Sequence, residues 1–142
     1  MTSHISAELR RFVQSRAGGL CEYCLIHESD TFFGCQVDHI VSEKHGGPTD
    51  PENLAYACTI CNCAKGTDLG SIAPSTGGFT RFFNPRSDHW ADHFRLSGVV
   101  IEPRTPIGEA TAKILGFNET ERILEREALQ RLRRYPPQGR RE

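Results

Sequence analysis

Four cysteines fall into two pairs of equal spacing, Cys21-x-x-Cys24 and Cys58-x-x-Cys61, with 33 residues between them. Each short pair can aim two thiolates at one ion about 2.3 Å away, and two such pairs complete the tetrahedral shell that zinc prefers. The pattern predicts a structural Zn2+ on Cys21, Cys24, Cys58 and Cys61. A redox use of Cys-x-x-Cys calls for one such pair beside a βαβ unit, and no such unit is visible in the chain. Cys35 and Cys63 receive no role.

Between the two pairs lies Asp38-His39-Ile40, and just after the second pair come Asn62 and Lys65. These residue types suit phosphodiester hydrolysis. That reaction needs an activated water, a cation to neutralise charge on the pentacovalent phosphate, and help for the leaving oxygen. An imidazole exchanges protons near neutral pH, so His39 is the candidate general base. Asp38 offers a hard oxygen ligand and Asn62 an amide oxygen, leaving most of an octahedral shell of Mg2+ or Mn2+ open to water and phosphate.

The elements that must position these residues can be read around them. Leu9, Phe12 and Val13 recur at helical spacing over residues 6–16, and Gly18-Gly19 ends that helix. Residues 33, 35 and 37 alternate as in a half-buried strand that delivers Asp38 and His39 at its end. Residues 42–51 read as a loop, Asn53 to Ala57 as a second strand, and Thr59 to Lys65 as a short helix closed by Gly66. Asn62 and Lys65 then share one helix face. Residues 70–80, rich in Gly, Ser, Thr and Pro, read as a linker or loop. Beyond them Val99-Val100-Ile101 is a strand candidate. Two helices follow, one from about Ile107 to Leu115 and one capped by Asn118, with Leu124, Ala128 and Leu132 as its apolar positions.

Taken together, Cys21-x-x-Cys24, Asp38-His39-Ile40, Gly46-Gly47-Pro48, Asn53-Leu54 and Cys58-x-x-Cys61-Asn62-x-x-Lys65-Gly66 resemble the HNH endonuclease family in order and spacing, over about residues 6–67. The resemblance implies an α+β fold. Its small ββα-metal core carries a four-cysteine structural zinc site and is flanked by an N-terminal helix and a C-terminal helical extension. It implies that His39 is the general base, that Asp38 and Asn62 bind the catalytic metal, and that Asn53 orients the base or ties the strands. Lys65 is expected to meet the scissile phosphate. An amide at position 62, where the family name implies histidine, tilts the metal choice toward Mg2+ or Mn2+. Residues 81–118 are more loosely similar to an extension of some small bacterial HNH proteins. The resulting division is a nuclease core over 1–69, a linker or loop over 70–80, and an extension over 81–142 packed on the core.

Seventeen Lys and Arg against eighteen Asp and Glu give a net charge of −1, but the charge is unevenly spread. Residues 1–80 hold 5 basic and 9 acidic side chains, and residues 81–142 hold 12 and 9. From residue 121 onward there are seven arginines, of which Arg122, Arg126 and Arg133 recur near helical spacing. They form the expected basic stripe for DNA, with RNA not excluded. No stretch reaches the ~18 apolar residues of a membrane span, and Met1 to Arg16 carries charges where a signal peptide needs an apolar run. The chain is therefore read as cytoplasmic. Two functions follow from the residues: a metal-dependent endonuclease acting on DNA, or a zinc-stabilised nucleic-acid-binding module without catalysis.

Overall fold

The structure, a computed structural model, describes residues 4–138. Helix α1 (Ala7–Ala17) starts where the Ser6 hydroxyl accepts the Leu9 N–H at 3.1 Å, and it ends where Gly18 turns left-handed. Strands β1 (Cys35–His39) and β2 (Leu54–Cys58) pair antiparallel, with His39 opposite Leu54 and Cys35 opposite Cys58. Because side chains alternate along a strand, Cys35, Val37 and His39 share one face of this hairpin while Gln36 and Asp38 share the other. The first face is covered by α1 through Leu9, Val13 and Ala17 against Val37, Leu54 and Tyr56. The second is covered by α2 (Thr59–Lys65), which the small side chains of Ala55 and Ala57 allow to come close.

Residues 70–80 are not a free linker. They form a small hairpin, β3 (Gly70–Ile72) with β4 (Phe79–Arg81), that rests on α4 (Pro106–Leu115). Lys113 Nζ donates to the Ile72 carbonyl at 2.6 Å, and Glu109 Oε1 accepts the Ser75 N–H at 2.8 Å. The Gly, Ser and Thr of this stretch build the turn and pass close to neighbouring backbone. A short helix α3 (Trp90–His93) then leads into a third hairpin, β5 (Phe94–Ser97) with β6 (Val100–Pro103).

Helix α5 (Thr120–Arg131) departs from expectation twice. Asn118 is not its cap: the amide clasps Ile101, accepting its N–H at 3.0 Å and donating to its carbonyl at 2.8 Å, and so pins β6. Leu124 and Leu132 are also exposed, and the side chains turned inward include Arg122 and Arg126. No helix among the described residues is long and apolar enough to cross a membrane.

One buried cluster joins the cysteine pairs to the C-terminal part of the chain, from Tyr23 and Ala57 through Phe83 and Trp90 to Leu115 and Tyr135. Phe94 is fully buried within it, with ring centroids 5.5 Å from Phe83, 5.1 Å from Trp90 and 5.5 Å from Phe117. Phe94→Ala should cost about 3–5 kcal/mol. Because the cluster is shared, the loss should appear as a lower midpoint of one cooperative transition when helicity and zinc retention are followed together. Two separated transitions would show that residues 70–138 fold independently of the cysteine cluster.

Candidate active site and metal centre

The four cysteine sulfurs of the two pairs all lie within 4.8 Å of one another and are buried. Cys24 Sγ and Cys58 Sγ are 3.8 Å apart, too far for a disulfide and equal to the edge of a tetrahedron with zinc–sulfur bonds of about 2.3 Å. The N–H groups of Cys24 and Cys61 each point at the first sulfur of their own pair at 3.4 Å. Burial pushes the Cys21 and Cys61 thiols up, whereas hydrogen bonds from Cys21, Cys58 and Cys61 hold Cys24 well down. Four sulfurs that must all be deprotonated to act as ligands thus fit a cation among them.

Arg122, with 6% of its surface exposed, reaches this cluster from α5. Its Nη2 lies 3.1 Å from Cys61 Sγ and 3.9 Å from Cys58 Sγ, and its Nη1 donates to the Leu115 carbonyl at 2.7 Å. Burial works against its charge, but the Cys61 and Cys24 sulfurs outweigh burial and hold its pKa above the ordinary value. Arg126, 1% exposed, donates to the Val99 carbonyl at 2.8 Å and to Asn118 Oδ1. These two arginines therefore cannot form a phosphate-binding stripe. The buried sulfurs and carbonyls draw them inward. Arg133 is exposed and lies in a separate depression beside Leu20, His27 and Arg134, while Arg140 and Arg141 lie outside the described residues. Sequence periodicity gave no warning of the inward turn, since the Cys61 sulfur that Arg122 meets lies 61 residues upstream.

The second centre is an open cleft of about 430 Å³ at the end of β1, lined by Asp38, His39, Ser42, Lys44 and Thr67 among others. Strand alternation sends the two neighbouring residues to opposite supports. His39 Nε2 is 2.8 Å from Thr49 Oγ1. Asp38 Oδ2 is buried 2.9 Å from Lys65 Nζ and has no other hydrogen-bond partner among the described residues. Burial raises the Asp38 pKa, and the Lys65 ammonium offsets part of that rise. Asp38 thus puts a carboxylate on the wall of an open cleft, the hard oxygen donor that a divalent cation takes.

Lys65 was expected at the scissile phosphate, but it is only 2% exposed and its ammonium also donates to the His39 carbonyl at 3.0 Å. The Asp38 charge and that carbonyl hold it inside, so it braces the end of β1. Asn62 is not brought to Asp38: its Nδ2 donates to Gln36 Oε1 at 2.5 Å, one same-face position back along β1. Its Oδ1 accepts no hydrogen bond from any described residue. Asn53 ties the connection between the strands. Its Oδ1 accepts the Val41 N–H at 2.9 Å, and its Nδ2 donates to the Val41 and Pro48 carbonyls at 2.9 Å each. Gly47 lies directly under this clamp, where any Cβ would collide with the Val41 carbonyl. Thr49 is the site residue that sequence reasoning missed, because a lone threonine in a loop carries no motif.

A β-hairpin and a short helix pinned by a four-sulfur cluster, with an Asp-His pair at the strand's end, define the zinc-bearing ββα class. Residues 21–68 match the family model described as HNH endonuclease, and the four-cysteine cluster fits the zinc-bearing subtype of that family. No curated protein and no solved structure matches the chain significantly.

Elemental analysis should find one zinc per chain, and Cys58→Ala should lose both the metal and the folded N-terminal half, since a structural zinc contributes on the order of 10–16 kcal/mol in small peptides. Arg122→Met keeps the volume and removes the charge. Groups that support a metal's ligands typically carry about 10- to 100-fold in affinity, so this variant should release zinc to a chelator faster by a comparable factor. Release at the parent rate would show that Arg122 only fills space.

Proposed function

We propose that the protein is a metal-dependent endonuclease that hydrolyses DNA phosphodiester bonds, with His39 as general base and one Mg2+ or Mn2+ held by Asp38 and Asn62. The observation that carries this reading is the placement of His39 and Asp38 on the wall of one open cleft, with separate supports, inside the segment that matches the HNH family. With the Nε2 proton donated to Thr49 Oγ1, Nδ1 of His39 keeps its lone pair for a water proton. As that proton moves to Nδ1, the water oxygen bonds to phosphorus and the opposite P–O bond breaks, its oxygen taking a proton from solvent.

The divalent ion, when bound, stabilises the charge that builds on the phosphate and the leaving oxygen. Asp38 is held for that task by Lys65, which fixes one carboxylate oxygen and supplies a positive charge that offsets part of the upward shift burial causes. Asn62 would hold the same ion with Asp38 through its amide oxygen, Oδ1, while its Nδ2 now donates to Gln36. Asn53 and Gly47 act at one remove. They shape the loop that carries Thr49, and through it the direction of the His39 ring.

The test is plasmid cleavage across a series of divalent metals. His39→Ala should lower the rate by about 10²- to 10⁴-fold while zinc content and DNA affinity persist. Asp38→Ala should raise the Mg2+ or Mn2+ concentration needed for half-maximal rate. Thr49→Val removes the tautomer-fixing partner, so it should reduce kcat and move the pH profile while leaving KM for DNA near the parent value. Cleavage by His39→Ala at the parent rate would remove His39 from the mechanism. DNA binding without cleavage in any metal would favour the zinc-stabilised binding module.

A further inference from the structure

Of the cations expected to meet nucleic acid only Arg133 is exposed, in a depression away from the cleft, and several other cations are occupied as well. Arg122 and Arg126 are buried, Lys65 is paired with Asp38, Arg81 with Asp88 and Arg86 with Glu22. Arg10 and Arg11 behave differently. Both are exposed on α1, and neither forms an ion pair with any described residue. They line a groove of about 240 Å³ whose other wall is β1 at Gln36 and Val37. No acid lines this groove: Glu28, which meets its lining residues, is engaged by the Gln14 amide at 2.9 Å and by the Tyr56 hydroxyl, and Glu8 stands one turn before Arg11 on α1.

Two further features give the groove a direction. The β1–β2 sheet has two strands, so among the described residues the outer edge of β1 is paired with no other strand. Gln36 and His39 are three residues apart on that strand, about 10 Å, or roughly the rise of three nucleotides along one DNA strand. At the end of β1 away from His39, Phe32 and Phe33 stand 90% and 72% exposed with their rings edge to face, 4.6 Å apart. Lys44 lies on the cleft itself. Arg10 Nε donates to the Ile5 carbonyl at 3.1 Å, which leaves its two terminal nitrogens for a phosphate. Exposed arginines outside any ion pair, set beside aromatic rings free to meet bases, fit a nucleic acid better than an acidic peptide.

We propose that the groove between α1 and the open edge of β1 carries the DNA strand leading to the cleft, with Arg10 and Arg11 on its phosphates and the Phe32–Phe33 pair stacked on a base. The proposal rests on the nuclease reading for the choice of partner. Its test reads binding and not cleavage, so the two can fail separately. The measurement is fluorescence polarisation of a labelled DNA duplex carrying a single-stranded overhang, with the His39→Ala protein, over a salt series.

Adding Arg10→Ala and Arg11→Ala should flatten the slope of log affinity against log salt by about 2, because each lost phosphate contact removes about one released counterion. Adding Phe32→Ala and Phe33→Ala instead should weaken binding at least tenfold with the slope unchanged. Arg131→Ala with Arg133→Ala removes the same charge from outside the groove and should leave the slope as it was. Zinc content should match the parent in every variant, and the thermal midpoint should move little, since the substituted side chains are exposed and the one tie lost is that from Arg10 to the Ile5 carbonyl. An unchanged slope in the Arg10 and Arg11 variant overturns the proposal. So does an equal loss in the Arg131 and Arg133 variant, an unchanged affinity in the phenylalanine variant, or no measurable binding by the parent. Each of these results leaves plasmid cleavage by the wild-type protein free to stand.

Discussion

The rest of the structure hangs on four sulfurs gathered around the position of one ion. A chain with 37% hydrophobic residues has limited apolar surface to bury, and a metal that binds the folded arrangement adds its binding energy to folding. The two cysteine pairs also set geometry. The first closes the turn after α1, and the second ends β2 and begins α2, so an ion held by both pairs would fix where the hairpin starts and how its covering helix departs. The C-terminal part of the chain attaches to the same place. Trp90 Nε1 donates to the Tyr23 carbonyl and the Tyr135 hydroxyl to the Cys24 carbonyl, each at 2.8 Å, so the first cysteine turn is gripped from both sides.

Concentrating thiolates inside a protein creates a charge problem. Four thiolates on a divalent cation leave two negative charges, and burying charge without a partner is costly. Arg122 supplies one positive charge within 3.1 Å of a sulfur, and its second nitrogen satisfies the last carbonyl of α4. The interior of α5 is polar for this reason. A helix whose inward face carries arginines is stable here because the groups it meets are cysteine sulfurs and helix-end or turn carbonyls, not hydrocarbon alone. The aliphatic stems still pack, with the Arg122 guanidinium 5.9 Å from the Phe117 ring and the Arg126 guanidinium 5.8 Å from the Tyr135 ring.

That arrangement separates what the sequence makes legible from what it conceals. The cysteine pairs, α1, the alternation of β1 and the helix at Pro106–Leu115 are visible because their signals are local: a spacing, a cap, a period. The orientation of α5 is not local. Leu124, Ala128 and Leu132 look like a buried face until Cys61 is known to lie against the opposite one. Lys65 follows the same logic, since a lysine at a helix end reads as solvated unless Asp38 is already placed beneath it. For Asn118 and residues 70–80, composition identified turns and capping chemistry correctly in kind, but Ile101 and α4 decide where those groups act. Each of these differences concerns a polar side chain whose partner is distant in sequence.

The cleft is built on a consequence of strand geometry. Asp38 and His39 are adjacent, so they must leave β1 on opposite faces, and no single supporting element can hold both. Lys65 on α2 holds Asp38, while Thr49 in the connecting loop holds His39. The two supports meet where β1 ends, and the Lys65 ammonium spans them by bonding both Asp38 and the His39 carbonyl. The loop on the His39 side would be loose without internal ties, and Asn53 provides them from the first turn of the returning strand. A pair of groups braced from two directions can be fixed relative to each other while the space between them stays open. Under the proposed reading that openness is required, because a polymer must enter the cleft sideways and cannot be enclosed like a small molecule. A two-stranded sheet whose outer edge no other described strand pairs leaves the needed approach clear, whereas a third strand beside β1 would wall it off.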